Sequence, residues 1–289
     1  MLLHQVKEII VQMNNIGKII SINKDLYTVM SSNSVFPCSV RGKLKNIKLT
    51  VGDNVEFNKE SLTIEKQLER KNTLIRPLIS NIDKLFIVVS THIPAFSSYL
   101  LDKFLILSEY NNIEPVIIIT KLDLCSKSEL CEIKKYIKYY RKIGYKVYTN
   151  KQVRKIKKEI KNNVVAVAGQ TGAGKSTMLN KIDKNLNLKT GEVSTHLGRG
   201  KHTTRLVELH SVCKGLIADT PGFSSLELDI NKNDMSGCFK EFGYNCKYKS
   251  CTHLKNDGCD VLKRVKNGKI LESRYENYLK LIKQVKNMK

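Results

Sequence analysis

One segment limits what this chain can fold into more than any other. Gly169-Gln170-Thr171-Gly172-Ala173-Gly174-Lys175-Ser176 follows the apolar run Val164–Ala168 and precedes Thr177-Met178-Leu179-Asn180-Lys181, a helical stretch. The pattern G-x-x-x-x-G-K-[ST] between a strand and a helix is a phosphate-binding loop. Its glycines let backbone N–H groups turn toward β- and γ-phosphate oxygens, and the helix N-terminus adds its dipole. Lys175 is expected to neutralise those oxygens and Ser176 to ligate Mg²⁺, with Thr177 among the nucleotide contacts. Such a loop requires a sheet behind it. Apolar runs at Leu85–Val89, Val116–Ile119, Lys146–Tyr148, Val164–Ala168, Leu206–Leu209 and Gly215–Ala218 supply one, with helical stretches at Leu100–Tyr110 and Ser128–Arg141 between them. The pattern predicts a mostly parallel sheet covered on both faces.

Two further tetrapeptides fall at predicted strand ends. Asp219-Thr220-Pro221-Gly222 has D-x-x-G spacing, so Asp219 can support Mg²⁺ and the Gly222 N–H can meet the γ-phosphate. Thr120-Lys121-Leu122-Asp123 is similar to the guanine-reading N-K-x-D, with Thr in place of Asn. The Asp123 carboxylate can accept from the guanine N1–H and N2–H₂, a donor pair that adenine lacks. The order is informative. In an ordinary G domain the phosphate loop comes first and the base-reading motif last, whereas here Asp123 precedes Gly169. A sheet tolerates such a cut, because its loops and termini lie at the surface and can be rejoined. The domain is therefore expected to be circularly permuted, with the Asp219–Gly222 segment leading directly into a Cys-rich C-terminal region.

Between these motifs lies Gly198-Arg199-Gly200-Lys201-His202-Thr203-Thr204. Either Thr203 or Thr204 can reach Mg²⁺ and the γ-phosphate. Phe223, not Gln, follows Gly222, so the Ras-type water-positioning residue is absent and His202 is its leading substitute. The competing view of this segment is a basic RNA-contacting loop.

The C-terminal region carries Cys246-x₄-Cys251-x-His253-x₅-Cys259, three thiolates and an imidazole within 14 residues. Soft donors at this density suit one tetrahedral Zn²⁺ with no open position, hence a structural ion. Reduced cysteines in a small core are the plainer alternative. Cys238 is expected to be spare. Large apolar residues look few here, so a metal staple is expected to hold the segment. Leu271–Val285 reads as a terminal helix. At the other end, Gly17–Ile22, Leu26–Met30, Val35–Val40 and Val51–Phe57 are short β-rich runs that suggest a small barrel.

Fifty Lys and Arg against 27 Asp and Glu leave a net charge of +23, with a pI near 9.6. A polyanionic partner, nucleic acid first, accounts for this, as does an AT-rich genome that inflates Lys. No apolar run approaches the ~18 residues of a membrane span, and the opening residues lack a signal-peptide pattern, so a cytoplasmic protein is expected.

These motifs together resemble the ribosome small subunit-dependent GTPase A family, circularly permuted ribosome-assembly GTPases. The likeness covers nearly the whole chain. It extends through Arg41-Gly42-Lys43, Val51-Gly52-Asp53-x-Val55, Asn72-x-Leu74-x-Arg76-Pro77, Asn81-Ile82-Asp83 and Gly198–Thr204. The resemblance implies an OB-fold over residues 1–72, a permuted GTPase domain over 73–226 and a small helical zinc domain over 227–289. It implies a monomer, free of membrane, that hydrolyses GTP to GDP on the 30S subunit and contacts 16S-type rRNA, with His202 assisting hydrolysis. Two departures stand out: Thr120 replaces Asn, and Thr149-Asn150-Lys151 replaces the expected Ser-Ala of the base-side loop. The rival readings are an RNA-binding zinc protein that holds GTP without hydrolysing it, and a P-loop ATPase acting on RNA.

Overall fold

The computed structural model describes residues 15–42, 47–75, 77–188, 207–219, 228, 230–242, 245–249, 251–254 and 257–285, with Asp219 described in its backbone only. By backbone packing the chain divides into two compact units. One is drawn from residues up to Lys84, Lys157–Val167 and residues 207–219; the other from Leu85–Ile156, residues 168–188 and the C-terminal region.

The first unit opens with a closed five-stranded barrel. Its strands are β1 (Ile16–Asn23), β2 (Leu26–Ser31), β3 (Ser34–Val40), β4 (Asn54–Asn58) and β5 (Thr63–Gln67), in the order β1-β2-β3-β5-β4. β1 closes the barrel by pairing with β4, and β3 runs parallel to β5. This is the order of an OB-fold, as expected. Ser32 and Asn33, both at positive φ, make the two-residue turn between β2 and β3. Alternate residues fill the interior: Ile19, Val29, Cys38, Val55, Phe57 and Ile64 are all buried. The barrel's motif residues act as joints. Gly52 has φ +93, and a Cβ there would lie 2.0 Å from Ser80 O. Asp53 is fully buried and takes Thr50 N–H at 2.8 Å and both Arg70 Nε and Nη2, at 2.7 and 2.8 Å. Asn72 and Ile82 exchange hydrogen bonds across the short hairpin β6 (Thr73–Ile75)–β7 (Leu78–Ser80).

A six-stranded sheet follows, built from β8 (Lys84–Ser90), β9 (Glu114–Thr120), β10 (Lys146–Thr149), β11 (Val164–Ala168), β12 (Glu208–Val212) and β13 (Gly215–Asp219). Their order is β10-β9-β8-β11-β13-β12. β8 and β11 are buried throughout, as strands covered on both faces must be. Helix α1 (Ser98–Tyr110) links β8 to β9, and α2 (Lys127–Lys142) links β9 to β10. Ser126 and Glu129 form a capping box at the start of α2. Helix α3 (Val153–Ile160), which the periodicity did not single out, then carries the chain from the edge strand β10 to the inner strand β11. That jump is the rejoined connection that the motif order predicts.

The expected strand Leu206–Leu209 is displaced. It runs over Glu208–Val212 and pairs antiparallel with β13 through a tight turn at Cys213 and Lys214, both at positive φ. Nothing in that turn's sequence signals it, because the left-handed positions are filled by Cys and Lys rather than Gly or Asn. Helix α4 (Lys175–Ile182) follows the phosphate loop, and α5 (Asp260–Lys266) and α6 (Glu272–Gln284) close the C-terminal region. That region is richer in large apolar side chains than its sequence suggests. Phe239, Phe242, Tyr278, Leu281 and Ile282 form a core that also takes in Cys251 and Cys259. Among the described residues no helix is long and apolar enough to cross a membrane.

Candidate nucleotide and metal sites

The phosphate loop sits where β11 ends and α4 begins. Gly169 is the tightest point: its φ is +144, and a Cβ would stand 2.2 Å from Val88 O, so the loop can leave the sheet only through glycine. Gly174 caps α4 in a left-handed conformation. Lys175 Nζ donates to Gly169 O at 2.8 Å and to Gln170 O at 2.7 Å. Burial holds its ammonium below the ordinary lysine value. A half-buried cation that, among the described residues, rests on neutral carbonyls is poised to exchange them for anionic oxygens. Ser176 is half-buried; Thr171 and Gly172 are exposed on the turn and Thr177 on the first turn of α4; and the Ala173 N–H closes the turn onto Gln170 O at 3.1 Å.

The base-side tetrapeptide lies against this loop. Thr120 is buried, and its hydroxyl donates to Ala173 O at 2.7 Å, with Val89 O a longer acceptor at 3.3 Å. Its side chain therefore braces the phosphate loop. Lys121 is left-handed, with φ +59, and its Nζ donates to Ile93 O. Asp123 lies in the middle of a turn of 3₁₀ helix over Leu122–Leu124 and is exposed, with no hydrogen bond or ion pair among the described residues. Its carboxylate is open to a pair of donors.

Sequence reasoning passed over Thr91–Pro94. Thr91 Oγ1 donates to Lys121 O at 2.8 Å, and Ile93 O and Pro94 Cδ each stand 3.6 Å from where a Cβ of Gly172 would be. Residues 91–94 thus support both nucleotide-side loops. A proline beside the β8 terminus was the signal that could have found them. Asp219 ends β13 at the sheet's edge of motifs. His202, Thr203, Thr204 and Gly222 lie outside the described residues, as does the side chain of Asp219.

In the C-terminal region the ligand atoms of Cys246, Cys251, His253 and Cys259 all lie within 4.8 Å of one another. Cys246 Sγ and Cys259 Sγ stand 3.6 and 3.5 Å from His253 Nδ1, and 3.9 Å from each other. A tetrahedral Zn²⁺, with bonds of about 2.3 Å to sulfur and about 2.0 Å to nitrogen, sets sulfurs about 3.8 Å apart and sulfur about 3.5 Å from nitrogen. The four donors fit that ion. Burial pushes the Cys259 thiol up to about 11 and holds His253 below its ordinary value. The imidazole thus favours its neutral form, and the Cys259 thiol is helped to ionise by a cation's charge. Supports surround the cluster. The Asp260 N–H points at Cys246 Sγ at 3.3 Å, Tyr275 OH donates to His253 O at 2.8 Å, and Tyr278 OH donates to Thr252 O at 2.6 Å. Cys238 takes no part. Burial in the same apolar core pushes its thiol up to about 12, and it behaves as a small hydrophobe.

No local motif marks the joint beside this cluster. Arg274 on α6 is fully buried. It forks onto Glu241 at 2.6 and 2.9 Å and reaches Asp102 on α1 at 2.7 Å. Asp102 also accepts from Tyr140 OH at 2.5 Å and Asn277 Nδ2 at 2.7 Å. Burial pushes the Asp102 carboxyl up, against the pull of Arg274, Tyr140 and Asn277.

Residues 67–229 match the family model described as RsgA GTPase, and residues 16–64 match that of the RsgA N-terminal domain. The chain belongs to the RsgA GTPase family. It is accordingly a GTP hydrolase, and family membership implies Mg²⁺ with the GTP. Relatives include the small ribosomal subunit biogenesis GTPase RsgA of Bacillus cereus, 42% identical over 94% of this chain and 98% of its own. That of Halalkalibacterium halodurans is 42% identical over 93% and 97%. Among solved structures, YjeQ from Thermotoga maritima is 33% identical with a TM-score of 0.83, covering 95% of this chain and 99% of that one. YloQ, a circularly permuted GTPase, is 35% identical with a TM-score of 0.80, covering 95% and 96%. The permuted order of motifs and the sheet order agree with that family.

Proposed function

We propose that the chain binds the 30S ribosomal subunit, hydrolyses GTP to GDP and phosphate there, and serves late in the maturation of that subunit. The observation that carries this is near-full-length likeness to proteins named small ribosomal subunit biogenesis GTPases, at 42% identity. The net charge of +23 supports an rRNA partner of the 16S type. The protein works as a cytoplasmic monomer, divided at about residues 72 and 226 into barrel, GTPase and zinc domains.

The roles follow from residue chemistry. Backbone N–H groups of Gly169–Ser176 hold the phosphates, with Thr177 beside them. Lys175 leaves its own carbonyls for the β- and γ-oxygens and stabilises the charge that develops on them. Asp123 reads guanine, while Thr120, Lys121 and Leu122 hold it in place. Ser176, Asp219 and either Thr203 or Thr204 would hold Mg²⁺, which when bound neutralises phosphate charge. The Gly222 N–H meets the γ-phosphate, and His202 orients the attacking water. Cys246, Cys251, His253 and Cys259 would hold one structural Zn²⁺.

Measuring GTP turnover with and without 30S subunits, at two salt concentrations, tests the proposal. Turnover is expected to rise with subunits and the rise to shrink at high salt. Equal turnover without subunits would overturn it. In the same assay, His202→Ala is expected to lose turnover while keeping GTP affinity; retained turnover would remove His202 from the mechanism.

A further inference from the structure

The residues proposed to hold nucleotide and metal all lie outside the segment that carries the chain from β10 into β11. It holds a row of cations: Lys151, Arg154, Lys155, Lys158 and Lys161 are all exposed. They recur at intervals of three and four, the spacing that gathers side chains on one helical face. The opposite face of α3 is the packed one, where Ile156 and Ile160 are buried at 0%. The helix's sole acid, Glu159, is buried with that face, and its Oε2 accepts from Lys84 Nζ at 2.5 Å. It cannot neutralise the row. None of the five exposed cations takes part in a hydrogen bond or ion pair through its side chain among the described residues.

Two longer surface helices differ. α2 exposes Lys134, Lys135 and Lys138, but also Glu129 and Glu132; α6 exposes Lys280 and Lys283, but also Glu272 and Glu276. Mixed signs of that kind make an ordinary solvated surface. A single-sign row on one short helix repels itself, and a polyanion relieves that repulsion.

We propose that this face of α3 and its flanking loops is a phosphate-binding surface for the backbone of an RNA helix. No large apolar residue of 151–162 is exposed, so the face has nothing to insert into a lipid surface. It carries no aromatic anchor, and Lys is the residue that protein–protein interfaces avoid. The same lack of aromatics removes a stacking platform for unpaired bases and leaves backbone phosphate as the target. The proposal rests on the 30S reading for the source of the RNA.

The test uses the full chain with Arg154→Gln, Lys155→Gln and Lys158→Gln combined. Binding is measured to purified 30S subunits, to a mixed-sequence RNA duplex and to anionic phospholipid vesicles, each at several salt concentrations. Each lost phosphate contact removes about 0.7–0.9 from the slope of log affinity against log salt. The slope for the duplex is therefore expected to fall by about 2–3, and duplex affinity by about tenfold or more near 0.1 M salt. GTP affinity and zinc content should stay at parental levels, which reports an intact fold. A matched variant that keeps the charge (Lys155→Arg with Lys158→Arg) is expected to bind as the parent does, and it decides the matter if the triple variant misfolds: weakened binding would show that charge is not what acts. Unchanged duplex affinity and slope in the triple variant would overturn the proposal, as would a loss confined to vesicles. If the parent binds the duplex but not 30S subunits, the 30S reading fails while the surface stands.

Discussion

In the phosphate loop the cation Lys175 rests on carbonyls of its own loop, Gly169 and Gln170. On the C-terminal helix, Arg274 is held by two carboxylates, Glu241 and Asp102. Both groups are taken from water, but among the described residues only the second meets a carboxylate. The loop is made largely of backbone and glycine, and its polar groups stay available for a ligand. The Arg274 joint is made of side chains that satisfy one another, and the neighbouring Cys/His cluster of side chains placed to hold an ion. The difference separates a site built to exchange partners from one built to keep them.

Removing the metal should have the largest effect. Zinc binding by such a cluster is worth on the order of 10 kcal/mol, so Cys251→Ser is expected to lose zinc and expose residues 245–285 to protease. GTP affinity, measured alongside, should persist; its collapse would show that the two regions are not separable. Arg274→Met leaves two buried carboxylates without their cation and should cost about 3–5 kcal/mol in urea unfolding. A cost below about 1 kcal/mol would mean that the joint contributes little beyond packing.

Lys175→Ala should invert that pattern. Turnover is expected to fall by about 10²–10³, as when one transition-state donor is removed. The unfolding midpoint should barely move, since the ammonium stabilises little in the free protein. Thr120→Val removes one hydrogen bond and strands Ala173 O, at a cost of about 1–3 kcal/mol felt as weaker GTP binding. The smallest effect is a labelling order. In the native protein an alkylating agent should modify exposed Cys131 first and spare buried Cys238, whose thiol burial pushes up to about 12. Rapid labelling of Cys238 would contradict its place in the core.

Much of the GTPase architecture is legible because its signals are local. A glycine whose Cβ would stand 2.2 Å from Val88 O and a cysteine spacing that gathers four candidate metal ligands within 4.8 Å both leave marks within a few residues. The strands β8, β9 and β11 are legible for the same reason, as unbroken apolar runs bounded by turns. The motifs Val51-Gly52-Asp53 and Asn81-Ile82-Asp83 were visible too, but their purpose was not. They are joints, with Asp53 gripping Arg70 and Asn81 Nδ2 donating to Gly52 O at 3.0 Å.

By itself the sequence determined the phosphate loop, the permuted order of motifs, the metal spacing and the excess of positive charge. Only the tertiary structure decided that Thr120 braces Ala173, that Arg274 joins Glu241 to Asp102, and that Glu159 turns inward and leaves α3 with a face of one sign. The physical reason is range. Backbone conformation and ligand spacing are set by neighbours in the chain, whereas the partner of a buried polar group is whatever the fold brings near. Arg274 and Asp102 are 172 residues apart in the chain and 2.7 Å apart in the protein.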